Sequence, residues 1–186
     1  NHTTVNAVKV ESAGRTLLSL VNDILDYTAI EEGGFVIKRE VYDIREILQT
    51  VLGYAQNGAE EKNLELRVEI EPEIPQKLWG DAVRLMQIME NLISNAVKYT
   101  KEGFVKVSVR WKENSEKDGY LQICVQDTGI GMKPEDVEKI SEQFIRFDNK
   151  RTRNIQGIGL GLTIVTRLLQ HMGSGLTVES EKGKGT

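Results

Sequence analysis

The sequence is short of the residues that staple or metallate small folds. It holds one cysteine, Cys124, among 186 residues, and only two histidines. One cysteine closes no internal disulfide, and together with two histidines it falls short of a four-ligand structural zinc site. No apolar run approaches the roughly 18–20 residues that a membrane span needs, and no signal peptide opens the chain. Internal repeats and low-complexity tracts are also missing. There is no excess of positive charge: 24 Lys and Arg stand against 28 Asp and Glu, a formal net charge of -4. That balance gives no global pull toward nucleic acid or an anionic membrane. These absences leave a soluble protein of a reducing compartment, or a piece of one.

What is present is enough to build a core. Hydrophobic residues make up 39% of the chain, with 17 glycines besides, which argues against disorder. The length fits one compact domain with an appendage. The appendage comes first. Val10, Ala13, Leu17, Leu20, Ile24 and Tyr27 repeat at 3-4-3-4-3 spacing, with Leu18, Val21 and Leu25 beside them. One long helix over the first 30 residues follows, with an apolar face wide enough for more than one partner helix, as in a four-helix bundle. An ordinary amphipathic helix packed on its own domain fits the same periodicity.

Gly33-Gly34 ends that helix, and a short strand is expected at about 35–40. Asp43 caps a helix carrying Ile44, Ile47, Leu48, Val51, Leu52 and Ala55, with Glu46 placed to complete a capping box. Leu64, Leu66, Val68 and Ile70 alternate with charged residues, the pattern of a half-buried strand. Pro72 and Pro75 bracket a turn into a short strand ending near Trp79. Asp81 caps the next helix, about 82–99. Two alternating runs around a charged loop, about 113–119, read as a hairpin. A glycine-rich loop follows Asp127, with a short helix after Pro134. A helix at about 159–172 and a strand at about 175–181 close the chain. Strands come in pairs and do not alternate regularly with helices. The fold expected is α+β, one mixed sheet with helices on one face, preceded by the bundle helix.

Three segments could carry chemistry. On the helix after Asp81, Asn91, Asn95 and Lys98 stand at i, i+4 and i+7 and share a stripe. A wet helix face would read similarly, but two asparagines one turn apart are poor helix formers. An Asn oxygen is a neutral ligand for a hard cation, and a lysine one turn on suits a phosphate. Asp127 ends the apolar face set by Leu121, Ile123 and Val125, where a carboxylate is costly unless paired. Thr128-Gly129-Ile130-Gly131-Met132 follows, so backbone can approach a planar ligand closely and the carboxylate can accept from an exocyclic amine. A simple turn closing the strand is the plainer reading. Gly157, Gly159 and Gly161 alternate ahead of an apolar helix, a plausible phosphate cradle at a positive helix terminus, though a lone glycine-rich loop is weak evidence. Between these segments, Arg146, Lys150, Arg151 and Arg153 fit either a lid over phosphates or a solvated loop. Cys124, His2 and His171 have no partners in sequence that would make them reactive.

The order and spacing of these segments are more specific than any one of them. From about residue 5 onward the chain resembles the ATP-binding catalytic part of sensor histidine kinases, within the wider GHKL-type ATPase class. Asn91-Leu92-Ile93-Ser94-Asn95-Ala96-Val97-Lys98-Tyr99-Thr100 is similar to the family's N box. Asp127-Thr128-Gly129-Ile130-Gly131-Met132 is similar to its first glycine box, Phe144-Ile145-Arg146-Phe147 to its F box, and Gly157-Ile158-Gly159-Leu160-Gly161-Leu162 to its second glycine box. Gly183-Lys184-Gly185-Thr186 matches its last turn.

The resemblance implies ATP and Mg²⁺ as ligands. Asn95 would hold the metal, with Asn91 close to the phosphate–metal cluster and Lys98 on the phosphates. Tyr99 would flank the base, and Asp127 would take the adenine amino group with Gly129 and Gly131 beside it. Phe144, Arg146, Gly157, Gly159, Leu160, Gly161 and Leu162 complete the implied ATP-binding set, with residues 133–157 as a lid. Residues 1–32 would be the second helix of the dimerisation and phosphotransfer bundle, and 33–186 the catalytic domain without its last strand. The implied partners are the chain's own bundle helices, a second copy in a homodimer of the longer protein, and a response regulator receiver domain, with no nucleic acid. The implied place is cytoplasmic, with membrane anchoring of the longer protein left open.

Two departures stand out. The family's acceptor motif, a histidine followed by an acid and later a proline, lies on a bundle helix that this sequence lacks, and His2-Thr3-Thr4-Val5 does not match it. Ile158 stands where a small hydroxyl residue is common. The function expected is therefore the catalytic portion of a histidine kinase without the acceptor. The alternative is a non-catalytic nucleotide-sensing or dimerisation module of the same fold. A hydrolytic ATPase of the gyrase or chaperone type is disfavoured, because Asn91 stands where those carry a water-activating glutamate and an amide is no general base.

Overall fold

A computed structural model describes residues 14, 17–18, 21–22, 24–115, 118–146 and 160–186; for 141–146 and 160 the description is of backbone only. Helix α1, whose described C-terminal part is 24–31, ends at a turn with Gly33 at φ 74°. Strand β1 is Glu40–Asp43, helix α2 Ile44–Glu61, β2 Glu65–Ile70, β3 Lys77–Gly80 and helix α3 Ala82–Tyr99. Strands β4 (Phe104–Ser115) and β5 (Asp118–Asp127) form the hairpin, and helices α4 (Pro134–Arg146) and α5 (Leu160–His171) follow.

The two central helices begin where their caps dictate. Arg45 N–H donates to the Asp43 carboxylate at 3.0 Å, and Arg84 N–H to that of Asp81 at 3.1 Å. Each bond satisfies one of the four N–H groups a helix start leaves unpaired. The α2 stripe Ile44, Ile47, Leu48, Val51 and Ala55 then meets Leu85, Met89 and Ile93 of α3 and Val107 and Val109 of β4 in the main core. Burying one such side chain is worth about 1.5–3 kcal/mol.

The strands fall into two hydrogen-bonded groups where one sheet is expected from the sequence. One is an antiparallel β1–β3 ribbon. The other is a mixed sheet in the order β2-β4-β5, with β2 parallel and β5 antiparallel to the central β4. Leu121, Ile123, Val125 and Asp127 face the helices, while Gln122, Cys124 and Gln126 are exposed. Helices therefore cover one face of this sheet and water the other, the α+β arrangement expected.

Three boundaries differ from the sequence reading. The first strand lies at 40–43 rather than 35–40, because Lys38 N–H is spent on the Asp81 carboxylate at 2.8 Å and ladder pairing begins only at Glu40 with Gly80. Residues 113–115 and 118–119 of the charged segment are strand, since charge on a solvated face does not end a ladder. Residues 175–181 form no strand among the described residues. Leu176, Val178 and Ser180 do turn inward in alternation, but a ladder needs a neighbour with free backbone groups, and the segment has only the Glu181–Gly185 bridge.

A second core joins α1, α3 and α5 through Ile30, Ile88, Ile164, Val165 and Leu168. Around it Asp26 accepts from Arg84 at 2.7 Å and from Gln87 at 2.9 Å, and Glu31 pairs with Arg167. Above this junction the bundle-type face stays open: Leu17, Leu18, Val21, Ile24 and Leu25 are all exposed. Among the described residues no helix is long and apolar enough to cross a membrane.

Candidate functional site

Residues of helix α3, of β5 and the loop after it, and of the start of α5 line a broad open cleft. The expected stripe lies on α3. Asn91 and Asn95 are half-buried and Lys98 is exposed. Asn91 donates from its amide to Gln87 O at 3.1 Å, which leaves Oδ1 outward. That oxygen lies against α5, where a Cβ built on Gly161 would sit 2.6 Å from it. The fold therefore joins the N-box helix to the second glycine segment at van der Waals range, and a side chain at position 161 would have to push the Asn91 amide aside. Gly161 and Leu162 lie in the first turn of α5, whose positive end carries no acidic residue.

Lys98 Nζ stands 5.1 Å from the centre of the Tyr99 ring, and Tyr99 is 46% exposed. The end of α3 is held from another helix. Lys62, at the C-cap of α2, donates to Val97 O at 2.7 Å, Lys98 O at 2.8 Å and Thr100 O at 3.4 Å. An ammonium has three donors, and here each meets an orphan carbonyl at the negative end of the helix.

Asp127 closes β5 half-buried. Its carboxylate accepts from Gly129 N–H at 2.7 Å. Burial pushes its pKa above the ordinary carboxylate range, while the Gly129 and Thr186 amides and the Thr100 hydroxyl pull it partly back. On the neighbouring helix, burial likewise raises Glu90.

The loop from Gly129 to Met132 is clamped from two sides. Ile130 N–H donates to Tyr99 O at 3.2 Å, and a Cβ on Gly129 would stand 2.5 Å from that same oxygen. On the far side Gly183 N–H donates to Ile130 O at 2.8 Å and Met132 N–H to Ser180 Oγ at 2.8 Å. Gly131 has φ 58° and Gly185 φ 109°, and a Cβ on either would overlap backbone, of Glu181 and Asp127 respectively.

Other expected residues lie apart or outside. Phe144 and Arg146 belong to the last turn of α4, with only their backbone described, and Leu160 opens α5 in the same way. Gly157 and Gly159 fall outside the described residues, as do His2 and the basic positions 150, 151 and 153. The expected lid at 133–157 starts as a packed helix, with Ile140 buried. His171 packs edge-on to Phe35.

Sequence reasoning missed Lys62, Thr100 and Ser180 as supports. Thr100 stands inside the N-box pattern, whereas nothing local marks Lys62, whose acceptors lie 35 to 38 residues away.

As a cation site the cleft offers amide oxygens. Among the described residues no group of three His, Cys, Asp or Glu side chains could hold a metal. Asn91 Oδ1 and Asn95 suit a hard cation that keeps most of its ligands as water and phosphate oxygen.

A family described as "Histidine kinase-, DNA gyrase B-, and HSP90-like ATPase" matches residues 80–186. The chain is 38% identical over 177 residues to Sensor protein GacS of Pseudomonas syringae pv. syringae, covering 95% of this chain and 20% of GacS. It is 30% identical over 177 residues to the signal transduction histidine-protein kinase BarA of Escherichia coli K12, covering 95% of this chain and 19% of BarA. It therefore spans about a fifth of the length of these relatives. Among solved structures, full-length ShkA in complex with AMPPNP aligns with a TM-score of 0.72 at 31% identity, over 100% of this chain and 37% of that one. The family match opens at Gly80, one residue before the Asp81 cap of α3, and runs through the turn that braces the 129–132 loop; the chain belongs to the histidine kinase-, gyrase B- and HSP90-like ATPases, on their sensor histidine kinase side.

Proposed function

We propose that this chain binds ATP with Mg²⁺ and is the catalytic portion of a sensor kinase that passes the γ-phosphate to a histidine on a bundle helix. The observation that carries this is the meeting of Asn91 Oδ1 with Gly161 at the positive end of α5, in a cleft that the half-buried Asp127 also lines. One end of the cleft suits phosphates and metal, and the other suits an exocyclic amine. Asp127 Oδ1 is already engaged by Gly129, so the other carboxylate oxygen takes the adenine amino group. Tyr99 flanks the base, and Gly129 and Gly131 let backbone lie beside it. Asn95, with Asn91 near it, completes the shell of a Mg²⁺ that arrives on the triphosphate, and Lys98 and the α5 N-terminus meet the phosphates. Phe144, Arg146, Gly157, Gly159, Leu160 and Leu162 complete the nucleotide-binding set, with 133–157 as a lid.

The metal supplies charge neutralisation on the phosphates. The chain's own residues hold the nucleotide and aim its terminal phosphorus. Transfer breaks the bond from that phosphorus to the β–γ bridging oxygen, forms one to an imidazole nitrogen and releases ADP. Catalysis of this kind is positioning and electrostatics. Residues 1–32 serve as the second bundle helix and 33–186 as the catalytic domain. The open face at Leu17, Leu18, Val21, Ile24 and Leu25 supports a helical partner there. A homodimer of the longer protein and a receiver domain accepting the phosphoryl group complete the proposal.

The test supplies a bundle bearing an acceptor histidine together with γ-labelled ATP. Acid-labile label on the added bundle and none on this chain is expected. Tight ATP binding with no transfer favours the nucleotide-sensing alternative.

A further inference from the structure

Ser180 lies outside every motif the nucleotide reading uses, yet its hydroxyl joins three parts of the site. It donates to Gly185 O at 2.9 Å, accepts from Met132 N–H at 2.8 Å and lies 2.8 Å from Thr186 Oγ1. A serine hydroxyl has one proton and two acceptor lone pairs. With the proton on Gly185 O, Thr186 is the donor in the third contact, and the hydroxyl is saturated.

Each partner leads to Asp127. Met132 ends the loop whose Gly129 N–H holds Asp127 Oδ1 at 2.7 Å. Gly185 packs on the Asp127 carbonyl so tightly that a Cβ would overlap it. Thr186 O accepts from Asp127 N–H at 2.8 Å. Ser180 thus ties the loop that orients the carboxylate to the turn that supports its backbone, without facing the ligand itself.

We propose that Ser180 is a positioning residue for base selectivity. The proposal rests on the nucleotide reading above. Freed from Ser180, the loop keeps its Ile130 bonds to Tyr99 O and Gly183 N–H but loses its anchor at Met132, so the Gly129 amide fixes the Asp127 carboxylate less firmly toward the adenine amino group. A guanine presents a carbonyl at that place and gains nothing from the carboxylate, so its nucleotide is held through phosphates alone.

The test measures dissociation constants for Mg-ATP and Mg-GTP on the parent chain, Ser180→Ala and Ser180→Thr. Ser180→Ala leaves a half-buried N–H without an acceptor and is expected to weaken ATP by about tenfold with GTP unchanged. Ser180→Thr keeps the hydroxyl and is expected to restore the ATP-to-GTP ratio. A purely structural role would weaken both nucleotides alike; that result, or an unchanged ratio, overturns the proposal. If Ser180→Ala fails to fold, Thr186→Val removes one of the three contacts and must still lower the ratio. Absence of ATP binding by the parent chain overturns the nucleotide reading, and this proposal with it. Binding by the parent with a ratio unmoved in the variants overturns this proposal alone.

Discussion

Gly131→Ala and Gly173→Ala form a matched pair that separates backbone strain from contact. Gly131 has φ 58° and Gly173 φ 70°, so both substitutions force a Cβ into the left-handed region. That alone costs about 1–2 kcal/mol. At Gly173 a new Cβ meets nothing within 4 Å, so the cost ends there. At Gly131 the Cβ overlaps the Glu181 carbonyl, and backbone on both sides leaves nothing soft to give. The loop must lift, which breaks Gly183 N–H to Ile130 O and Met132 N–H to Ser180, each 2.8 Å. Two lost bonds at about 0.5–1.5 kcal/mol each bring the total to about 2–5 kcal/mol. Urea unfolding of both variants measures the difference, and nucleotide titration follows it into the site. Gly131→Ala is expected to lose more stability and to weaken ATP, while Gly173→Ala binds ATP like the parent. Equal losses in both variants, or intact ATP binding in Gly131→Ala, would show that the 180–186 turn does not hold this loop.

Three further outcomes follow from the same geometry. Asp127→Ala should weaken ATP by about 10- to 100-fold in titration, the value of about 1.5–3 kcal/mol for a charged hydrogen bond. Because burial raises the Asp127 pKa in the folded chain, the native state holds that proton more tightly than the unfolded state does. Ionising Asp127 therefore costs stability above its raised pKa, and that stability returns as pH falls through it toward the unfolded value. An amine partner favours the ionised form, so ATP affinity should fall over the same descent, and Asp127→Asn should flatten the profile. Lys62→Met leaves carbonyls at the end of α3 without their cation and should lower stability by about 1 kcal/mol, read by urea unfolding. No change on removing Lys62 would mean that water caps the helix equally well.

How much could be read in advance depended on the range of the cause. The start and end of α3 were legible because Asp81 caps it locally and its apolar stripe runs unbroken to Val97. The face shared by Leu121, Ile123, Val125 and Asp127 was legible because strand periodicity is two. The ladder at 175–181 was expected and is not formed, since alternation sets which side chains point inward but does not supply a neighbouring strand. The split into a ribbon and a separate sheet was hidden for a similar reason: pairing partners such as Val41 and Trp79 lie far apart in sequence. Site residues on one helix or one turn announced themselves through spacing. Lys62 and Ser180 did not, because their work is to join segments that only the fold brings together.

The central claim is that the cleft between α3, β5 and α5 takes one adenine nucleotide, base at Asp127 and phosphates at Asn91, Asn95 and Lys98. Isothermal titration of this chain with Mg-ATP tests it most directly, repeated with Asp127→Ala and with Asn95→Ala in the presence and absence of Mg²⁺. The account predicts one site per chain, weakened by Asp127→Ala whether or not the metal is present and by Asn95→Ala only when it is present. No heat and no competition at millimolar ATP, or binding that neither substitution alters, would contradict it.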